Sequence, residues 1–257
     1  MKCRMKTIYT LVTCLALTHG AWAKSVFILA DEWPQMDVLQ EFFEANGYSV
    51  DRAEQDAMPE SLSKYDGVVE FIHGALKDET AAKLIDYANQ GGRLIVIHHG
   101  ISAKKKQTKG WYEFLGVDLD GREGIPKRYV WRHDIDLIFV NLQPNHYITS
   151  NKVNYNKKID YLPSDQPSPL QLLPAIVFKN SEVFLNHQFT DGREKTVLFG
   201  FTYIDPDNGK TYMQDRSGWY KKRGKGWAFY FQPGHSVSDF EHKNYCQILL
   251  NCLTYQP

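Results

Sequence analysis

The stretch that most constrains this chain is Gly91-Gly92 followed by Arg93-Leu94-Ile95-Val96-Ile97 and then His98-His99-Gly100-Ile101. Two glycines stop the preceding helical pattern, and four consecutive aliphatic residues read as a strand buried on both faces. Such a strand belongs in a parallel sheet covered by helices. The sharp turn at His98-His99-Gly100 delivers a side chain to the carboxyl edge of that sheet, where ligands bind in open α/β folds. A nucleophile elbow has the same strand, turn and helix order with Ser or Cys at its tip. Here the tip carries histidine.

The flanking segments support that frame. Ser25 to Ala30 is a short apolar run suited to a first, central strand, and Asp31-Glu32-Trp33-Pro34 follows as a turn. Met36, Leu39, Phe42 and Phe43 recur at helical spacing before Gly47. Tyr48 to Arg52 and Gly67 to Ile72 predict two more strands, the latter ending in His73-Gly74. Asp78 is placed as the N-cap of a helix whose apolar face is Ala81, Leu84, Ile85 and Ala88. A further helix including Trp111 to Leu115 follows the elbow. The order strand, helix, strand, strand, helix, strand predicts a flavodoxin-like α/β fold, a doubly wound, mostly parallel sheet with helices on both faces.

Beyond residue 120 the pattern changes. Tyr129 to Val140 reads as a long extended segment, Leu142 to Pro169 as loop, and Leu170 to Val177 as strand. Glu194 to Tyr203, Thr211 to Lys221 and Gly226 to Gln232 predict β-hairpins joined by Asp205-Pro206-Asp207-Asn208-Gly209 and Arg223-Gly224-Lys225-Gly226 turns. Phe240, Tyr245, Ile248, Leu249 and Leu253 predict a closing amphipathic helix. Cys246 and Cys252 fall six apart on it, do not face each other, and read as small core residues.

The first 23 residues read as a cleavable signal peptide. Lys2, Arg4 and Lys6 precede an apolar run from Ile8 to Leu17, and Ala21-Trp22-Ala23 fits a cleavage site. The expected product is a secreted or periplasmic domain over 24–257, with no membrane span. Cys14 is a poor lipidation site because the apolar run continues past it. Removing this segment leaves 27 basic residues (30 less the three just named) against 30 acidic ones, with no basic stripe, which argues against a nucleic-acid partner. No glycine-rich phosphate loop is present, so no nucleotide is expected. Nothing in the sequence sets an oligomeric state.

Four landmarks fall in one order: Tyr65-Asp66-Gly67-Val68-Val69, the strand ending in His98-His99-Gly100, Asn145-His146-Tyr147-Ile148-Thr149, and Gly224-Lys225-Gly226-Trp227-Ala228-Phe229-Tyr230-Phe231-Gln232-Pro233-Gly234-His235. In this the chain resembles the trehalose-utilisation (ThuA-like) family of the class I glutamine amidotransferase-like superfamily, over nearly its whole length. The resemblance implies a role in bacterial sugar metabolism beside oxidised (3-keto) glycosides, with a small-molecule carbohydrate as partner. It also draws attention to His146, and to Asp160-Tyr161, where the family commonly has Asp-Glu-Tyr.

An amidotransferase needs a thiolate beside a histidine, and this elbow has no thiol, which argues against glutamine hydrolysis. Two chemistries stay open for His98, His99 and His235: general acid/base work on a sugar, or ligation of a divalent metal. One of the adjacent pair His98 and His99 is expected to be exposed and the other structural. Glu70, His73, His133, His146, Asp160 and Tyr161 are candidates for substrate contact, and His187 and His242 read as surface residues. The alternative to an enzyme is a non-catalytic carbohydrate-binding or accessory protein on the same scaffold.

Overall fold

The computed structural model describes residues 24–119, 129–164, 168–192 and 194–256. The signal-peptide segment and Cys14 lie outside the described residues. In chain order the elements are β1 (Lys24–Ala30), α1 (Pro34–Ala45), β2 (Tyr48–Ala53), β3 (Gly67–Phe71), α2 (Asp78–Gln90), β4 (Arg93–Ile97) and α3 (Trp111–Leu115). There follow β5 (Val117–Leu119), β6 (Val130–Asn141), α4 (Tyr147–Ser150), β7 (Lys157–Tyr161), β8 (Gln171–Leu185) and β9 (His187–Phe189). The chain closes with β10 (Thr196–Ile204), β11 (Thr211–Arg223), β12 (Gly226–Phe231), α5 (Val237–Glu241) and α6 (Lys243–Thr254).

Ten strands form one sheet in the order β2-β1-β3-β4-β12-β11-β10-β6-β8-β7, and β5 pairs with β9 apart from it. The β2-β1-β3-β4-β12 half is parallel, and the rest is antiparallel. The two-residue period of each parallel strand splits its side chains between two cores. Val26, Ile28, Ile95 and Ile97 pack with Met36, Leu39 and Phe43 of α1 and with Tyr245, Ile248 and Leu249 of α6. Phe27, Leu29, Leu94 and Val96 pack with Ala81, Leu84 and Ala88 of α2 and Trp111 and Phe114 of α3. Helices thus cover both faces, as the aliphatic run of β4 demands. Among the described residues no helix is long and apolar enough to cross a membrane.

Asp78 is the first residue of α2, not its cap; its carboxylate accepts the backbone N–H of Lys109. The stretch read as loop from 142 to 169 holds α4 and β7. The strand foreseen to end at Val177 runs on to Leu185, and this extension matters most. β10 pairs with β6 only at Ile138–Asn141, and β7 pairs with β8 only at Gln171–Ala175. The remaining ends of β6 and β8 pair only with each other, from Val130↔Leu185 to Ile135↔Ser181. They form a two-stranded ribbon that projects beyond the sheet. Asp134 and Asn180 sit at its base with left-handed φ of 55° and 51°, where the register slips. Such bulges bend a strand, and here they turn the ribbon across the carboxyl edge of the parallel half.

Candidate functional site

Each central parallel strand ends in a polar residue at the same edge: Asp31 and Glu32 after β1, His73 after β3, His98 and His99 after β4, and His235 after β12. Chain directions diverge between β1 and β3, the switch point at which doubly wound sheets bind ligands.

The elbow is a 3-10 turn over His98–Ile101. His98 holds a left-handed φ of 53°, uncommon for a residue with a Cβ. The surroundings hold it there. Tyr230 Oη donates to the His98 carbonyl (3.2 Å), Trp111 Nε1 to that of Gly100 (2.8 Å), and Tyr112 Oη to that of Ile101 (3.1 Å). A Cβ on Gly100 would stand 2.1 Å from Val96 Cγ1 and 2.6 Å from Glu70 Oε2, so only glycine fits under the turn. Gly234, at φ +152°, lets the turn after β12 come against His98, whose Cβ would be 2.9 Å from an added methyl.

Both elbow histidines point at one carboxylate, contrary to the expectation that adjacent residues diverge. The 3-10 turn and the left-handed His98 bring His98 Nε2 to 3.1 Å and His99 Nε2 to 3.4 Å from Glu182 Oε2. His235 Nδ1 hydrogen-bonds the same oxygen at 3.2 Å. Glu182 comes from the ribbon, and so does Phe184, whose ring lies 5.0 Å from that of His98 and 5.3 Å from that of His99. His98 Nδ1 bonds the backbone carbonyl of Gln232 at 2.8 Å; a carbonyl only accepts, so Nδ1 carries the hydrogen. His98 and Glu182 are buried, His99 is nearly so, and the His235 side chain is 33% exposed, which opens the cluster to a ligand on that side.

Burial pushes His99 down to about 3, against the pull of Glu182, so its ring is neutral at ordinary pH. Burial works against ionisation of Glu182, but contacts from His235, His98 and His99 outweigh it and hold the carboxyl below its ordinary range. The hydrogen bond to Glu182 raises His235. Candidate ligand atoms of His98, His99 and Glu182 lie within 4.8 Å of one another. Two imidazoles and a carboxylate are a donor set suited to zinc and similar divalent ions.

The other candidates divide. His73 joins the site: its ring centroid is 3.9 Å from that of His99, and its Nδ1 is 3.2 Å from Glu32 Oε1. Asp31 anchors the same loop by accepting the backbone N–H groups of His73 and Gly74 at 2.6 and 2.7 Å. Glu70 is fully buried beneath the elbow; burial raises its carboxyl while the charge of Lys105 opposes that. Lys105 Nζ in turn donates to the carbonyls of Ile72 and Gly74. His133 is an exposed partner of Asp134 on the ribbon. His146 caps α4 and bonds Tyr220 Oη at 3.1 Å, beside Tyr255. Arg93, the first residue of β4, donates to the Tyr255 carbonyl, so His146 belongs to the amino edge of the sheet, away from the cluster.

Asp160 and Tyr161 lie on β7, the far edge strand; Asp160 is exposed, and Tyr161 is buried with its Oη on Asp215 (2.8 Å). His187, read as a surface residue, is fully buried because the β5–β9 pair places its ring against Phe189 and Tyr230. His242 is half-buried against Phe178. Glu182 lies beyond the strand expected over Leu170 to Val177, in the part of β8 that the polar pair Lys179-Asn180 separates from the apolar run. Its one signal was the two-residue spacing to Phe184. A cavity of about 970 Å³ opens elsewhere, lined by Arg132, Asn186, Tyr203, Asp205, Gln214 and Arg216 and by none of the clustered histidines.

The fold recurs in solved structures at low identity. A ThuA-like protein of Bacteroides uniformis superposes with a TM-score of 0.54 and 14% identity over 89% of both chains. A β-galactosidase from Bacillus circulans sp. alkalophilus gives 0.51 and 12%, over 90% of this chain and 31% of its own. Agd3, a carbohydrate deacetylase, gives 0.52 and 9%, over 88% of this chain and 32% of its own. At these identities the likeness is one of fold. No curated protein sequence matches. The family model described as ThuA, trehalose utilisation, matches residues 22–256, and the chain belongs to that family.

Proposed function

We propose that this protein is an exported enzyme acting on a glycoside or keto-sugar, in which His98, His99 and Glu182 hold a divalent cation and His235 transfers protons. The observation that carries the reading is how His98 meets Glu182. With Nδ1 committed to the Gln232 carbonyl, Nε2 is the ring atom left to face a carboxylate oxygen 3.1 Å away. A bare lone pair there would repel the carboxylate in a buried site, so a second proton or a metal cation lies between the two atoms, and the converging His99 favours the metal. Neither Nε2 of His98 nor Nε2 of His99 makes a hydrogen bond. Ligands arranged tetrahedrally about an ion at about 2.0–2.1 Å stand about 3.3 Å apart, and the separations from Glu182 Oε2 are 3.1 and 3.4 Å. A backbone carbonyl on the far ring nitrogen is also how metal-binding histidines are oriented.

A bound divalent ion would polarise a sugar carbonyl or hydroxyl. His235, raised by its bond to Glu182 and partly exposed, is placed to give or take a proton at a sugar oxygen or at carbon next to a keto group. The carbohydrate substrate rests on the family, whose description is trehalose utilisation. Export rests on Lys2, Arg4, Lys6, the apolar run and Ala21-Trp22-Ala23.

The test is turnover of 3-keto-glucosides by chelated and by zinc- or manganese-loaded protein. Activity should need the ion, and His235→Gln should lower kcat by about 10²-fold or more while leaving ion uptake intact. Full activity after chelation would leave acid/base chemistry without a metal. Absence of turnover on every keto- and unmodified glycoside would overturn the catalytic reading in favour of a sugar-binding role.

A further inference from the structure

Trp131 is 51% exposed on the open strand of the ribbon, an unusual place for the largest side chain in the repertoire. Its indole stacks on the imidazole of His133, with centroids 5.4 Å apart and planes at 23°. Cross-strand partners in an antiparallel pair point to the same face. Trp131 is paired with Phe184, so it shares the face on which Phe184 meets His98 and His99. Glu182 and Tyr129, each two residues along its strand, fall on that face too, and the Tyr129 and Phe184 rings lie 6.2 Å apart. The face therefore runs from the carboxylate of the cluster, through Phe184, to an exposed indole on the neighbouring strand, whose backbone lies about 4.8 Å away.

We infer that Trp131, backed by His133, is a stacking platform that receives the apolar face of a pyranose ring and sets that ring beside the histidine–carboxylate cluster. The inference rests on the proposed carbohydrate substrate and names the part of it this surface selects. A pyranose presents axial C–H groups on one face and hydroxyls around its rim. A flat, half-exposed aromatic takes the first, and polar groups at its margin take the second. That margin is present: His133 is hydrogen-bonded to Asp134 beside the indole. An acyclic polyol has no such apolar face and would gain nothing here. The platform is thus a specificity element for ring-closed sugars.

The experiment is saturation-transfer NMR and calorimetric titration of the chelated protein with methyl β-D-glucopyranoside and trehalose, with sorbitol as the acyclic control. Zinc uptake is measured separately. The wild-type chain should bind the pyranosides and not sorbitol. Trp131→Ala should weaken pyranoside binding about tenfold, equivalent to about 1.4 kcal/mol. Trp131→Phe should recover most of it, and zinc uptake should be unchanged in both variants. Pyranoside binding that depends on Trp131 in a protein taking up no zinc would uphold the platform while removing the metal reading. Equal affinity in wild type and Trp131→Ala, equal binding of sorbitol, or no pyranoside binding at all would each overturn it.

Discussion

The parallel half of the sheet and the projecting β6–β8 ribbon each supply one part of the cluster, and they are held in different ways. Strand β4 is hydrogen-bonded on both sides and buried on both faces from Leu94 to Ile97. The ribbon keeps one buried strand end, Ser181 to Leu185, against a partner whose residues 131–134 are all exposed. The histidines therefore stand on a strand paired on both sides, and the carboxylate that meets them arrives on a strand end paired on one side only, held by its burial and by the Ser181–Asp239 hydrogen bond. A cation or ligand between the two parts would bind them together.

That contrast predicts graded effects. Phe229 is fully buried in β12 beside β4, and Phe229→Ala should cost about 3–5 kcal/mol. A denaturant midpoint shifted by less than a third of that would mean the parallel core is looser than described. Gly100→Ala forces a methyl onto Val96 and Glu70 and should cost about 1–3 kcal/mol, with cluster chemistry lost as well. Unchanged stability would show that the elbow yields.

The pH dependence can be read through single histidines. Burial pushes both His99, at the elbow, and His187, in the separate β5–β9 pair, from 6.5 down to about 3. Between those values the unfolded chain binds more protons, so stability falls as pH falls, by about 1.4 kcal/mol per unit for each histidine. His235 has the opposite sign: raised when folded, it stabilises fully below 6.5, and that contribution is lost as pH rises through its folded value. Guanidinium midpoints from pH 7 to 4.5 should fall steeply, and less steeply in His187→Gln; identical slopes would place His187 in solvent. The smallest effect is expected at the ribbon tip. Trp131→Ala should change unfolding stability by no more than about 0.5 kcal/mol, and a larger loss in a thermal melt would make that indole structural.

The parallel half was legible because one physical rule wrote it: strands buried on both faces must be aliphatic, and the turns after them break the pattern. Hence β4, its elbow and the histidines at the ends of β3 and β12 could be read from residue types alone. Of the ribbon, β6 could be read as an extended segment, but its pairing and its bend could not: the bend depends on left-handed Asp134 and Asn180, which can equally mark an ordinary turn. Glu182 stayed out of sight because the polar pair Lys179-Asn180 interrupts the apolar pattern of β8 before it. His146, Asp160 and Tyr161 were drawn in by the family's order of landmarks, which says nothing of which sheet edge a residue occupies; the sheet order puts β7 six strands from β4.

The most direct measurement is the metal content of the chelated and reloaded protein, wild type against Glu182→Gln, with circular dichroism as the folding control. The account predicts one divalent ion per chain in the wild type, and uptake lost or weakened at least tenfold in the folded variant. A wild-type chain that takes up no divalent ion, or a Glu182→Gln chain that binds it equally well, would contradict a cation held jointly by the elbow and the ribbon.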